Sequence, residues 1–157
     1  MARAKIGDII EIKYPNNLYY AQYTHKLPKY LDLIQVADKS FKQRPDNLEL
    51  ILDCDIRIIT FTGLSVLLLD DEFEVIGNAP VPESRKKFPV FRVAGHITKE
   101  GIVTGWKFWD GGESWPEKFV KKISKEQQKL PVRELWSIDV LLKRIESGWT
   151  HDKTLGY

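Results

Sequence analysis

At 157 residues, with 43% apolar and 29% charged side chains, the chain can bury a full core as one domain, and its composition excludes a disordered protein. The net charge of +2 conceals a gradient, −3 over residues 1–80 and +5 over residues 81–157, and is too small for the usual basic excess of a nucleic-acid binder. A lone cysteine, Cys54, rules out an intrachain disulfide, and no apolar run approaches the ~20 residues that span a bilayer.

In chain order, Arg3 and Lys5 lead straight into a patterned segment with no apolar leader, so a cytoplasmic protein without a membrane partner is expected. Ile9 to Tyr14 alternates, with Ile10, Ile12 and Tyr14 on one face and Glu11 and Lys13 on the other. After the turn residues Pro15-Asn16-Asn17, Leu18 to Thr24 resumes as a strand with Tyr19, Ala21 and Tyr23 opposed to Leu18, Tyr20 and Gln22, predicting a hairpin. Tyr30 to Ala37 is apolar on both sides, which suits a central strand. Asp46-Asn47-Leu48-Glu49 has the spacing of a capping box before a short helix, with a strand as the alternative. Asp55 to Thr62 is the clearest strand, and Gly63 ends it. Ser65 to Leu69 fits either one helical turn or a buried extended run.

Phe73 to Ile76 follows as a short strand, broken by Gly77-Asn78, and Pro80, Pro82 and Pro89 hold the next dozen residues extended. Val90 to Ile97 and Ile102 to Asp110 read as a second strand pair around Thr98-Lys99-Glu100-Gly101. Phe119, Val120 and Ile123 lie among lysines in an amphipathic segment of either type. The last element is a helix: Ser137 is the N-cap, Val140, Leu141, Leu142 and Ile145 form the apolar stripe, and Gly148 stops it. The expected fold is α+β, a strongly bent antiparallel sheet or partly open small β-barrel with a C-terminal helix packed on it. It comprises one domain over residues 1–157: a β-rich part over 5–110, an amphipathic part over 111–149, and a frayed tail over 150–157.

The chemistry-bearing residues point away from turnover. His25, His96 and His151 have no partner at metal-ligand spacing and suit loops or surface, and no phosphate loop or nucleophile elbow is present. No catalytic residue, metal or cofactor is therefore assigned. Cys54, between Asp53 and Asp55, suits an unreactive thiol. Asp53, Asp55, Asp70, Asp71, Glu72 and Glu74 cluster where strand ends meet loops, and a dense anionic cluster favours docking of a basic protein. The five tryptophans all fall after residue 100; Trp109, beside Asp110-Gly111-Gly112, is expected exposed at a loop edge as an interface anchor. Arg85, Lys86, Lys87, Lys118, Lys121, Lys122 and Lys125 suit a solvated face rather than a phosphate track.

Lys5-Ile6-Gly7-Asp8-Ile9-Ile10-Glu11-Ile12, Tyr19-Tyr20-Ala21-Gln22, Ile58-Ile59-Thr60-Phe61-Thr62, Phe73-Glu74-Val75-Ile76-Gly77 with Pro80 and Val81, and Phe88-Pro89-Val90-Phe91 together resemble the immunity protein 26 family of polymorphic-toxin systems. The resemblance covers about residues 5–95; position 73 carries Phe where that family would carry Trp, and the tryptophan-rich third lies beyond it. It implies a protein that binds a cognate toxin, expected to be basic, stoichiometrically and without catalysis. Asp70, Asp71, Glu72, Glu74 and Trp109 are the candidate contact residues. The opening Gly-Asp-Ile-Ile-Glu-Ile and hairpin also resemble small-barrel ribonuclease toxins, and a nucleic-acid-binding small barrel is the third reading.

Overall fold

The strand pair at the start of the chain sets the architecture. In a computed structural model describing residues 3–28, 31–112 and 119–156, β1 (Asp8–Lys13) and β2 (Leu18–Lys26) form the expected hairpin, with Ile10 opposite Ala21 and Ile12 opposite Tyr19. Then follow β3 (Asp32–Ala37), α1 (Glu49–Leu52), β4 (Ile56–Thr62), α2 (Leu64–Leu67), β5 (Phe73–Asn78), α3 (Glu83–Lys86), β6 (Phe91–Ala94), β7 (Trp106–Trp109), α4 (Lys125–Gln128) and α5 (Ile138–Glu146), with a 3₁₀ segment at His151–Gly156. The first five strands form one antiparallel sheet in the order β4-β3-β2-β1-β5, and β6 pairs with β7 in a separate two-stranded sheet. The large sheet does not close into a barrel: β4 and β5 are its two edges. No helix among the described residues is long and apolar enough to cross a membrane.

Period-two alternation sorts the side chains onto two covered faces. The inner face carries Ile10, Ile12, Tyr19, Ala21, Tyr23, Ile34, Val36 and Ile58, and against it pack Leu64 and Leu67 of α2, Trp136, and Leu141, Leu142 and Ile145 of α5. Ser137 Oγ accepts the Val140 N–H and caps α5 as expected, but Val140 itself points outward; the stripe is Leu141, Leu142 and Ile145. On the outer face, Ile9 and Tyr20 lie under Phe41, Leu48 and Ile51, while Leu33 and Phe61 lie under Phe88, Phe91 and Trp109.

Three expectations about local structure change, and one open alternative is resolved. Asp46 does not cap α1: Leu48 occupies the N-cap position with no side-chain bond, and Asn47 Oδ1 accepts the Glu49 N–H at 2.9 Å. Gly77-Asn78 does not break β5, because a register shift at Ile9/Ile10 absorbs the irregularity and Gly77 pairs with Ile9. A Cβ at Gly77 would lie 2.7 Å from Leu48 Cδ1, the movable end of a side chain that packs over the sheet. The proline-rich link is interrupted by one helical turn, α3, begun by Pro82. The alternative for Ser65–Leu69 resolves as helix, since a helical turn buries Leu64 and Leu67 together.

Edge strand β4 is sealed by the end of the chain, as an unpaired edge must be. Trp136 N–H donates to Phe61 O at 3.1 Å, and His151 Nε2 accepts the Ile59 N–H at 3.0 Å. Residues expected to fray are thus docked at their start: His151 is buried against Trp136 and Trp149.

Glu11, assigned by alternation to a polar face, is buried, because that face is covered by residues 38–55. Its carboxylate accepts from Tyr20 Oη at 2.9 Å and from Arg44 Nε and Nη2 at 2.8 and 2.9 Å. The Arg44 hydrogen bond holds the Glu11 pKa below the ordinary carboxyl value against the opposing effect of burial. Arg44→Ala is expected to lower the urea midpoint at neutral pH, by leaving the buried Glu11 carboxylate with the neutral Tyr20 hydroxyl as its hydrogen-bond partner. In urea titrations the loss should shrink on acidification as Glu11 takes up a proton; a pH-independent loss would mean that Arg44 acts through packing alone.

Candidate interaction surface

The acidic stretch is built by the helical turn that precedes it. With Leu64 and Leu67 of α2 turned into the core, the same periodicity leaves Val66 and Leu69 outward, 61% and 66% exposed. The chain then turns tightly: Phe73 N–H donates to Asp70 O, and Glu72 N–H donates to Asp70 Oδ1 at 3.1 Å. Phe73, buried at the start of β5, anchors the far side of the turn. Asp70, Asp71 and Glu72 therefore stand together beside two exposed apolar side chains. The Asp70 carboxylate, above all by hydrogen bonding, raises the Glu72 pKa above the ordinary value, and Asp71 and Asp139 at the start of α5 push the same way. None of the three turn carboxylates forms an ion pair among the described residues. This is a ridge of mutually repelling anions with an apolar flank.

Glu74 does not belong to it. On β5 it faces Glu11 across the ladder and pairs with Lys13 Nζ at 3.0 Å and Arg44 Nη2 at 3.3 Å, so its charge is matched locally. Trp109 does not belong either, and its expected exposure is wrong. It is 3% exposed on β7 opposite Phe91, packs with Phe61, Phe88 and Phe91, and donates Nε1–H to Gly112 O at 2.9 Å. Gly111-Gly112 turns the chain back over the indole instead of baring it. Trp106 and Trp136 are also buried, Trp149 stacks edge-on against Trp136 at 5.1 Å, and Trp115 lies outside the described residues.

Asp53 and Asp55 are exposed but lie elsewhere, at a cleft between α1 and α3. No three or more His, Cys, Asp or Glu side chains among the described residues are grouped to hold a metal ion. His96 is exposed and His25 half-buried, bonded to Lys86 O at 2.7 Å, while buried His151 departs from the expected surface role. Cys54 is buried, its thiol pushed up mainly by burial and then by Asp38.

Two arginines missed by pattern reasoning are structural. Arg85, expected on a solvated face, is buried and donates Nη2 to Leu52 O and Cys54 O at 2.7 and 2.6 Å, closing the carbonyl end of α1. Arg92, fully buried, donates Nε to Leu130 O and Nη2 to His151 O, each at 2.9 Å, and lies over the Trp106 ring. Lys86, Lys87, Lys121, Lys122 and Lys125 are exposed as expected, and Lys118 lies outside the described residues.

No protein-family model, curated protein or solved structure matches this chain.

Proposed function

We infer that this chain is a stoichiometric binding protein of the immunity type, which acts in the cytoplasm by covering a basic toxin domain. The observation that supports this most is the unmatched anionic ridge, Asp70, Asp71 and Glu72 with Asp139 nearby, flanked by exposed Val66 and Leu69. Carboxylates crowded beside Glu72 repel its charge and gain on meeting a cationic surface, and the apolar side chains add area that water leaves. The resemblance of residues 5–95 to immunity protein 26 supplies the partner class. Glu74 and Trp109 drop out of the contact set, Glu74 because its charge is already matched and Trp109 because it is buried.

The test is protection. The chain is co-expressed with each candidate basic toxin domain found among the genes flanking its own, and growth and binding are compared with an Asp70→Lys/Asp71→Lys/Glu72→Lys variant. Binding by the variant should be at least about tenfold weaker, mostly through slower association, with a flatter salt dependence. Full protection by the folded variant removes the ridge from the interface, and no protection by the native chain rejects the immunity reading.

A further inference from the structure

Of the two edges of the large sheet, β4 is closed by the end of the chain and β5 is not. Lys13 N–H donates to Glu72 O at 2.8 Å, so the next pair to exchange ladder bonds is Glu11 with Glu74, and Ile10 with Val75 exchanges none. The Val75 amide and carbonyl therefore face away from β1, and no described residue bonds to either. Beside them the Val75 side chain is exposed, as is that of Ile6. An open edge with apolar flanks is a template for a further strand.

The two ends of this edge carry opposite charge. At its start stand the carboxylates Asp70, Asp71 and Glu72. At its end a hollow of about 540 Å³ opens between Val75, Asn78 and the segment from Arg3 to Ile6. Arg3 and Lys5 line it, and neither forms an ion pair among the described residues. Asp8, the acid in the hollow, is buried and accepts from Lys5 N–H at 2.8 Å and from Asn78 Nδ2 at 2.9 Å.

Two such edges match when laid antiparallel. A two-fold axis at Val75 sets that residue opposite its own copy, where each amide meets the other's carbonyl. Glu72 and Asn78 lie equally far from Val75, so the anionic start of each strand comes beside the cationic hollow of the other. A parallel arrangement would bring like charge to like. Both charged groups lie toward the inner face: Asp139 at the start of α5 acts on Glu72, and Ala4 packs on the inner core. An axis normal to the sheet keeps them on the same side. The bulge at Ile76 keeps the shared ladder short, which leaves much of the contact to the charges.

We propose that β5 is a self-docking edge, through which two copies of this chain pair antiparallel about Val75 into one continuous sheet, with Asp70, Asp71 and Glu72 of each against Arg3 and Lys5 of the other. Isologous pairing uses the same patch on both subunits, so it closes as a dimer and does not propagate. A toxin docking on the ridge would compete with this pairing. The dimer needs only the chain itself, so it stands whether or not the chain is an immunity protein.

The test is sedimentation velocity of the purified chain over a dilution series. The native chain should pass reversibly from monomer to dimer, with a dissociation constant at least about tenfold higher at high than at low ionic strength. Val75→Pro removes the outward donor, a loss that an edge strand tolerates, and Val75→Lys sets two ammonium groups opposite each other; each variant should be monomeric. Arg3→Glu/Lys5→Glu and Asp70→Lys/Asp71→Lys/Glu72→Lys should each be monomeric alone, while an equimolar mixture of the two should dimerise, since each then offers the charge that the other needs. Melting curves check that every variant folds. A native chain that stays monomeric, a dimer that survives both Val75 substitutions, or a mixture that stays monomeric would each overturn the edge pairing without bearing on toxin protection.

Discussion

Arg92→Ala is expected to lose about 4 kcal/mol of folding stability and lower the melting temperature by roughly 10 °C. The side chain is fully buried, and it ties two segments far apart in sequence to β6 by donating to Leu130 O and His151 O. Burial pulls its pKa below the ordinary guanidinium value, a sign of how little water reaches it. Truncation removes the body of the side chain over Trp106 and also takes those donors from the buried His151 carbonyl and the part-buried Leu130 carbonyl. Arg92→Met separates the contributions: it restores most of the volume without the donors, so it should recover only part of the loss. Differential scanning calorimetry of the two variants checks this. A melting temperature within a few degrees of the native value for Arg92→Ala would show that the C-terminal segment is held by packing alone.

Acid should destabilise the protein well before its carboxylates are protonated. Burial, reinforced by Arg92 and Arg144 and only partly opposed by Asp152, depresses the His151 pKa to about 3. The unfolded chain binds that proton near the ordinary value of about 6.5. Between these limits the unfolded state holds more protons than the folded one, so stability falls as pH falls, by about 1.4 kcal/mol per pH unit once well below 6.5. Above pH 6.5 the ring is neutral in both states and contributes no slope. The physical event is loss of an acceptor: a protonated Nε2 cannot take the Ile59 N–H, and the cover of β4 lifts. Glu11, held low by Arg44, acts in the same direction but only in the carboxylate range, roughly two units lower. His151→Gln keeps an acceptor without this titration. Denaturant unfolding across this range should show a shallower slope for the variant, and identical slopes would refute the assignment.

Most of the large sheet was legible as alternation. Ile10, Ile12, Tyr19, Ala21 and Tyr23 fall on the inner face that period two assigns them, and Leu33 and Ile34 pack on opposite sides as a central strand requires. Ser137 and Gly148 bracket α5 for local reasons: a hydroxyl accepts the Val140 N–H, and a glycine at φ +68° follows the last turn. The acidic ridge was legible too, because Asp70, Asp71 and Glu72 are consecutive and a turn keeps consecutive residues together.

What failed depended on cover supplied from far along the chain. Alternation tells that Glu11 opposes Ile10, but not that residues 38–55 will lie over it with Arg44. Trp109 beside two glycines suggests an open loop, yet its pairing with Phe91 turns the indole toward Phe61 and Phe88. Arg85 and Arg92 resemble surface cations in sequence; their burial is tolerated because backbone carbonyls more than 30 residues away accept hydrogen bonds from their guanidinium groups.

The sequence by itself determined the α+β class, the strand faces, the capped last helix and the position of the anionic turn, since each rests on a period or on neighbours within four residues. Tertiary structure alone decided that Glu74 is matched, that Trp109 is core and that His151 seals an edge. Each of these turns on which distant backbone or side chain supplies a partner and excludes water, information that hydropathy and spacing do not carry.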